Sequence, residues 1–190
     1  VTPLTGPGSV GGFDVRGDTV AYSLSALESG AQLFKARLGG KPVQLTWQNR
    51  EALADVRFGQ YEQFSFAGAN GEKVYGHVMK PWNAVPGQKY PIAFLVHGGP
   101  QGSFGNGWSY RWNPQVYAGA GYATVFIDFH GSTGYGQAFT DSISNDWGGK
   151  PLVDLQKGME AAVKKFPWLD RERSCALGAS YGGYMMNWIE

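Results

Sequence analysis

The chain has 190 residues, enough for a sizeable core and one to two domains. Its 16 basic and 15 acidic residues leave a formal charge of +1 with no basic stripe, which argues against nucleic acid as a partner. No run of 18 apolar residues is present, which argues against a membrane span.

Taken in chain order, residues 19–24 alternate apolar and polar side chains and predict a strand. Residues 32–38 alternate again, and Gly39-Gly40 is a hairpin turn signal before residues 41–45. Short strands at this spacing predict an antiparallel sheet over residues 1–50, followed by a crossing segment at 51–60. Residues 62–66 and 73–79 form a second alternating pair across the turn at Gly68-Ala69-Asn70-Gly71. The run Pro91-Ile92-Ala93-Phe94-Leu95-Val96 is continuously apolar, as expected of a strand buried on both faces of a parallel sheet. A helix is predicted over 113–120 and a second buried strand over 122–128. Apolar residues at Leu152, Leu155, Met159, Ala162 and Phe166 give residues 151–166 a helical stripe. Pro151 suits its first turn, and Asp154 is expected at the positive end of its dipole. Residues 174–177 predict a short buried strand, with the single cysteine, Cys175, as a small buried side chain. Residues 184–189 open an apolar helix. From residue 51 onward, strands alternating with helices predict an α/β sheet with right-handed crossovers.

Between that last strand and helix lies Gly178-Ala179-Ser180-Tyr181-Gly182. A serine between glycines at a strand-to-helix turn is the pattern of an α/β-hydrolase nucleophile elbow, where a Cβ on either side would clash. With 29 Gly in the chain, about 0.3 such pentapeptides are expected by chance, so the context has to decide. That context is His97-Gly98-Gly99-Pro100, a glycine-rich loop leaving a buried strand, where this fold places its second oxyanion amide. Ser180 is therefore the expected nucleophile. The oxyanion donors are expected to be the N–H groups of Tyr181 and of Gly99, with Gly98 as the lesser choice for the second. The ring of Tyr181 is a candidate wall of the substrate pocket, along with Phe104 or Trp108; core packing is the competing role for each.

The three histidines, His77, His97 and His130, all precede Ser180, whereas this fold orders its triad Ser, acid, His. The acid and base are therefore expected beyond residue 190, and residues 1–190 alone are expected to be inactive. Asp128 is expected to fix a loop, and His97 to anchor the oxyanion loop by hydrogen bonds. No His, Cys, Asp and Glu cluster has metal-ligand spacing. Gly131-Ser132-Thr133-Gly134-Tyr135-Gly136 lacks the lysine of a phosphate loop, so neither metal nor cofactor is expected.

The linked motifs His97-Gly98-Gly99-Pro100, Asp128-Phe129-His130-Gly131-Ser132-Thr133-Gly134-Tyr135-Gly136, Asp146-Trp147-Gly148-Gly149-Lys150 and Gly178-Ala179-Ser180-Tyr181-Gly182-Gly183-Tyr184 resemble the catalytic domain of the prolyl oligopeptidase family of serine peptidases (S9). The likeness runs over residues 60–190 and points toward the acylaminoacyl-peptidase and dipeptidyl-peptidase 5 branch. One departure is His130, where many relatives carry Arg. The resemblance implies a C-terminal β-propeller blade at 1–50 and the first half of an α/β-hydrolase domain at 51–190. It also implies short peptide substrates, cut to release N-terminal dipeptides or acylated residues through an acyl-enzyme. A lipase-type esterase on the same fold and a non-catalytic binding module are the rival readings. The P1 preference and the choice of exo- or endopeptidase action stay open.

Charged residues make up only 16% of the chain, against ~25% in an average soluble domain, and aromatics make up 15%, with seven Trp. That composition suits a filled core and aromatic surfaces, and it leaves a homo-oligomer open. One cysteine allows no intrachain disulfide, and the chain opens at Val1 with no signal-like stretch. Both ends are expected to be cut, so periplasmic and cytoplasmic locations stay open.

Overall fold

The computed structural model describes residues 3–190; Val1 and Thr2, the start of the first expected domain, lie outside the described residues. The chain forms two compact units, one of residues Val1–Arg57 with Gly105–Gln115, the other of Phe58–Phe104 with Val116–Glu190. The division thus falls at Arg57, and an eleven-residue excursion from the second half of the chain folds with the first unit.

The first unit is an antiparallel sheet of four strands in the order β1-β2-β3-β4: β1 Ser9–Arg16, β2 Thr19–Ala26, β3 Ser29–Arg37 and β4 Val43–Gln44. β2 and β3 bury Val20, Tyr22 and Ala36, with the rings of Tyr22 and Phe34 stacked at 5.7 Å. The amide of buried Gln32 holds the segment after β4 in place. Its Oε1 accepts from Thr46 Oγ1 and from the Gln48 N–H, both at 2.9 Å, and its Nε2 donates to the Gln48 carbonyl at 3.1 Å. β1 has no counterpart in the sequence pattern. All eight of its residues are exposed, Gly11 and Gly12 interrupt it, and its register with β2 slips between Val10 and Gly12. Its pairing with β2, rather than a buried apolar face, makes it a strand. In the same unit the Asn106 side-chain oxygen accepts from the Leu27 N–H at 3.0 Å.

The second unit is a five-stranded mixed sheet in the order β5-β6-β8-β7-β9. β5 (Tyr61–Ala67) and β6 (Lys73–Met79) are antiparallel and joined by a tight turn at Ala69–Gly71. β7 (Tyr90–Val96) lies parallel to β8 (Ala123–Asp128) on one side and to β9 (Leu169–Gly178) on the other. Every residue of β8 is buried, and every residue of β7 but Pro91. Both faces are covered, which is why these two strands read as unbroken apolar runs.

Helix α1 (Pro114–Gly119) leads into β8, and the short α2 (Gln137–Asp141), not marked by any apolar stripe, follows it. α3 (Lys150–Lys165) lays Leu155 and Ala162 on the core of Phe64, Val74, Val125 and Ile127. α4 (Tyr181–Ile189) follows β9.

Two local expectations are corrected. Asp154 does not serve the helix dipole: the first turn of α3 holds no acid, and Asp154 is fully buried. Its Oδ2 accepts from the His130 N–H at 2.7 Å and from His130 Nδ1 at 2.6 Å, and its Oδ1 accepts from the Ala69 N–H at 2.7 Å. One carboxylate thus ties the β5–β6 turn and the end of β8 to α3. Cys175 is exposed, not buried: among the described residues β9 pairs with β7 alone. Asp154→Ala would leave three buried donors unpaired. It is expected to destabilise the protein by roughly 3–5 kcal/mol in a denaturant titration; a loss under 1 kcal/mol would show that water satisfies those donors.

Candidate active site

β9 ends at Gly178 beside Val96, the last residue of β7, and the chain turns at once into α4. The turn is tight enough to hold Ser180 at φ 57°, ψ −121°, a conformation L-residues rarely adopt and one that marks stored strain at a functional site. Ser180 is exposed and its hydroxyl makes no capping bond to α4, so it is not a turn serine spent on its own backbone. Gly182 sets the closeness of the packing. A Cβ there would lie 2.3 Å from the Val96 carbonyl oxygen, so only glycine lets α4 rest on the end of β7. The N-terminus of α4 beside Ser180 favours negative charge developing there.

The loop after β7 reaches the same point. A Cβ on Gly98 would lie 3.3 Å from Ser180 Cβ and 3.1 Å from the Ala179 carbonyl, so loop and elbow are in contact. Gly99 sits at φ +128°, and a Cβ there would come within 2.5 Å of the Gln101 nitrogen. The backbone bend at Gly99 therefore requires glycine for its shape.

His97 supports this loop from beneath. Its Nδ1–H donates to the Gly98 carbonyl at 2.8 Å, which fixes the tautomer. Nε2 then accepts from Ser132 Oγ at 2.8 Å, and the ring stacks on Phe129 at 4.3 Å. Both nitrogens are occupied, so His97 acts as a strut. His130 is also committed: Nδ1 donates to Asp154, the ring stacks on Phe139 at 4.3 Å, and Nε2 lies 3.3 Å from Glu72 Oε2 without hydrogen-bond alignment. Asp128 accepts from Ser103 Oγ at 2.8 Å and from the Tyr135 hydroxyl at 2.5 Å, a pair of bonds that ties two loops to the end of β8.

Tyr181 begins α4 with its ring 3% exposed. It packs between Phe129, Trp147 and Tyr184 at 5.5–5.6 Å, and its hydroxyl donates to the Trp147 carbonyl at 2.6 Å. Burial first, then the neighbouring Tyr184, Asp146 and Asp154, pushes that phenol far above its ordinary value and keeps it a donor. Trp188 Nε1 donates to the Gly148 carbonyl at 3.0 Å, so α4 is gripped at both ends by the Trp147-Gly148 backbone. This role of the tryptophan-glycine motif has no signal in its local sequence. Phe104 packs on His97 and Phe126 at 6.0 and 5.3 Å, and Trp108 meets Tyr110 edge-on at 5.7 Å within the first unit.

Burial holds both His97 and His77 below the ordinary histidine value. The Asp128 charge pulls each upward, and for His97 so does the Gly98 bond, but burial prevails. Such a group binds its proton more readily unfolded. The stability it contributes is present above about pH 6.5 and is lost as pH falls from there through the folded value. The melting temperature is expected to drop between pH 7 and 5. The drop should be smaller in His77→Leu, which removes one titrating ring whose Nδ1 has no partner among the described residues. Superimposable pH profiles for the two proteins would show that His77 does not contribute.

Among the described residues no group of His, Cys, Asp and Glu is arranged to hold a metal ion, and no helix is long and apolar enough to cross a membrane.

A parallel-cored sheet, a strained serine between strand β9 and a helix, and a glycine loop touching that serine together define an α/β-hydrolase fold. The pattern described as the prolyl oligopeptidase family, peptidase S9, matches residues 108–190. Dipeptidyl-peptidase 5 of Schizosaccharomyces pombe is 51% identical over 191 residues, covering 100% of this chain and 28% of that protein. A probable dipeptidyl-peptidase 5 of Aspergillus clavatus is 50% identical over 121 residues, 64% of this chain and 17% of its own. Among solved structures, an acylaminoacyl peptidase in complex with Z-Gly-Gly-Phe-chloromethyl ketone superposes with a TM-score of 0.86 at 30% identity, over 97% of this chain and 29% of that one. The Pyrococcus horikoshii acylaminoacyl peptidase gives 0.85 at 30% identity, over the same shares of the two chains. The chain belongs to the prolyl oligopeptidase family and spans under a third of the length of these relatives.

Proposed function

We propose that the full-length protein is a serine peptidase in which Ser180 attacks the scissile carbonyl, the N–H groups of Tyr181 and Gly99 hold the resulting oxyanion, and water then releases the acyl group. The observation that carries this reading is Ser180 itself: exposed, strained at φ 57°, uncapped, and in contact with the Gly98 loop. A serine hydroxyl needs a base to become nucleophilic. His97 Nε2 is taken up by the Ser132 hydroxyl, the His130 ring is fully buried, and neither ring is hydrogen-bonded to Ser180, so the base and its orienting acid are assigned to the chain beyond residue 190. The relatives support short peptides as substrates, cut to free N-terminal dipeptides or acylated residues. Four antiparallel strands before the hydrolase sheet support the reading of residues 1–50 as the last blade of a β-propeller and of 51–190 as the first half of the catalytic domain.

Turnover of dipeptide and N-acyl amino-acid nitroanilides, compared with the matching nitrophenyl esters on the full-length protein, tests the peptidase reading. Amide cleavage supports it; ester cleavage without amide cleavage would place the protein among esterases. Gly99→Val is expected to lower amide turnover by about 10²–10³-fold, the usual effect of losing one oxyanion donor, because the loop must shift away from the Gln101 backbone. Normal turnover in that variant would remove Gly99 from the oxyanion hole.

A further inference from the structure

At the end of β7 remote from Ser180 the second unit carries a cleft of about 340 Å³, within the range that holds small ligands. Its walls include Gln60, Lys80, Trp82, Val85, Tyr90 and Trp168. Tyr90 opens β7 opposite Leu169, the residue after Trp168, whereas Val96 closes β7 beside the elbow. Seven residues of strand separate the two by about 20 Å. The cleft is therefore distinct from the proposed catalytic site.

The cleft is built rather than incidental. The Tyr90 hydroxyl accepts from the Val85 N–H at 2.6 Å and donates to Gln88 Oε1 at 3.3 Å, which tethers the β6–β7 loop as one wall. The Lys80 ammonium stands 5.2 Å from the centroid of the Trp168 ring and is in no ion pair among the described residues. None of the lining side chains is acidic, so the cleft offers one unneutralised cation among aromatic rings. A cationic ligand would meet no countercharge. A phosphate dianion would find a single lysine and no cluster of donors. A monocarboxylate with an apolar body matches both features, its charge on Lys80 and its body on the rings. The rim is open, with Trp82 46% and Val85 57% exposed, so an occupant keeps one side in water. That suits the end of a chain better than an enclosed small molecule.

We propose that this cleft is an accessory site for the C-terminal residue of a short peptide, with its carboxylate on Lys80 and its apolar side chain against Trp82 and Trp168. It goes beyond the peptidase reading and does not depend on it.

The test is a tryptophan-fluorescence titration of the full-length protein, its active serine blocked by a fluorophosphonate, with Ala-Ala-Phe carrying a free C-terminus and with the same peptide amidated. If no serine takes the label, the peptidase reading fails, and the same titration is run on the unlabelled protein. Saturable binding of the free acid, at least tenfold weaker binding of the amide, and at least tenfold loss for the acid in Lys80→Met are expected. In Lys80→Met the affinity for the amide should stay unchanged. Equal affinity for acid and amide, an unaltered affinity for the acid in Lys80→Met, or no saturable binding would overturn the assignment.

Discussion

Ser180→Ala in the full-length protein is expected to lower turnover by on the order of 10⁶-fold while leaving the fold intact. Removing the nucleophile of a serine hydrolase leaves only oxyanion stabilisation and binding, which together keep a residual 10³–10⁴-fold advantage over water. The hydroxyl makes no cap bond whose loss would weaken α4, and alanine has the same Cβ as serine at φ 57°. The melting temperature should therefore stay within a few degrees of the parent. KM should change little, because the substrate-binding surfaces are untouched. Turnover within tenfold of the parent would mean that another group attacks the substrate.

The second large effect concerns two adjacent glycines that sequence alone cannot tell apart. Gly182→Ala is expected to cost roughly 3 kcal/mol and to depress turnover by about 10²-fold, because its Cβ would meet the Val96 carbonyl at 2.3 Å and drive α4 off β7. Gly183→Ala should do the reverse. The nearest atom to a Cβ there is the Gly178 carbonyl oxygen at 3.7 Å, ordinary contact, and alanine inside a helix gains roughly 0.5–1 kcal/mol over glycine. Denaturant titrations of both variants check the pair. Equal effects, of either sign, would contradict the packing of the elbow helix described above.

What the sequence made legible follows from what its signals report. β7 and β8 announced themselves because parallel strands covered on both faces need an unbroken apolar run. The elbow was legible because its sharp turn demands glycine two residues to either side of the serine, at Gly178 and Gly182, where a Cβ would strike backbone. The stripe of α3 was legible through Leu155 and Ala162, which do face the core.

Signals that depend on distant partners were not legible. β1 alternates only over Phe13-Asp14-Val15-Arg16, too short a stretch after Gly11-Gly12 to mark a strand, and it exists through its pairing with β2. Residues 105–115 fold with the first unit although the chain around them belongs to the second. The place of Asp154 on a helix points to the dipole, while its partners, His130 and Ala69, lie 24 and 85 residues away. The sequence neighbours of His97 point to an anchor of the oxyanion loop, but the bond that occupies its second nitrogen comes from Ser132, 35 residues on. The grip of the Trp147 and Gly148 carbonyls on α4 likewise joins residues that lie 34 and 40 positions apart. Cys175 lies in a partly apolar run, yet its exposure depends on which strands flank β9, which no local pattern carries.

The central claim, that Ser180 is the nucleophile of this protein, is tested most directly by fluorophosphonate labelling of the full-length protein at pH 7–8, followed by peptide mass spectrometry. The strained, exposed hydroxyl beside the Gly98 loop predicts a single adduct, on Ser180, with turnover lost in proportion to labelling. An adduct on any other serine, or full labelling of Ser180 with turnover unchanged, would contradict it.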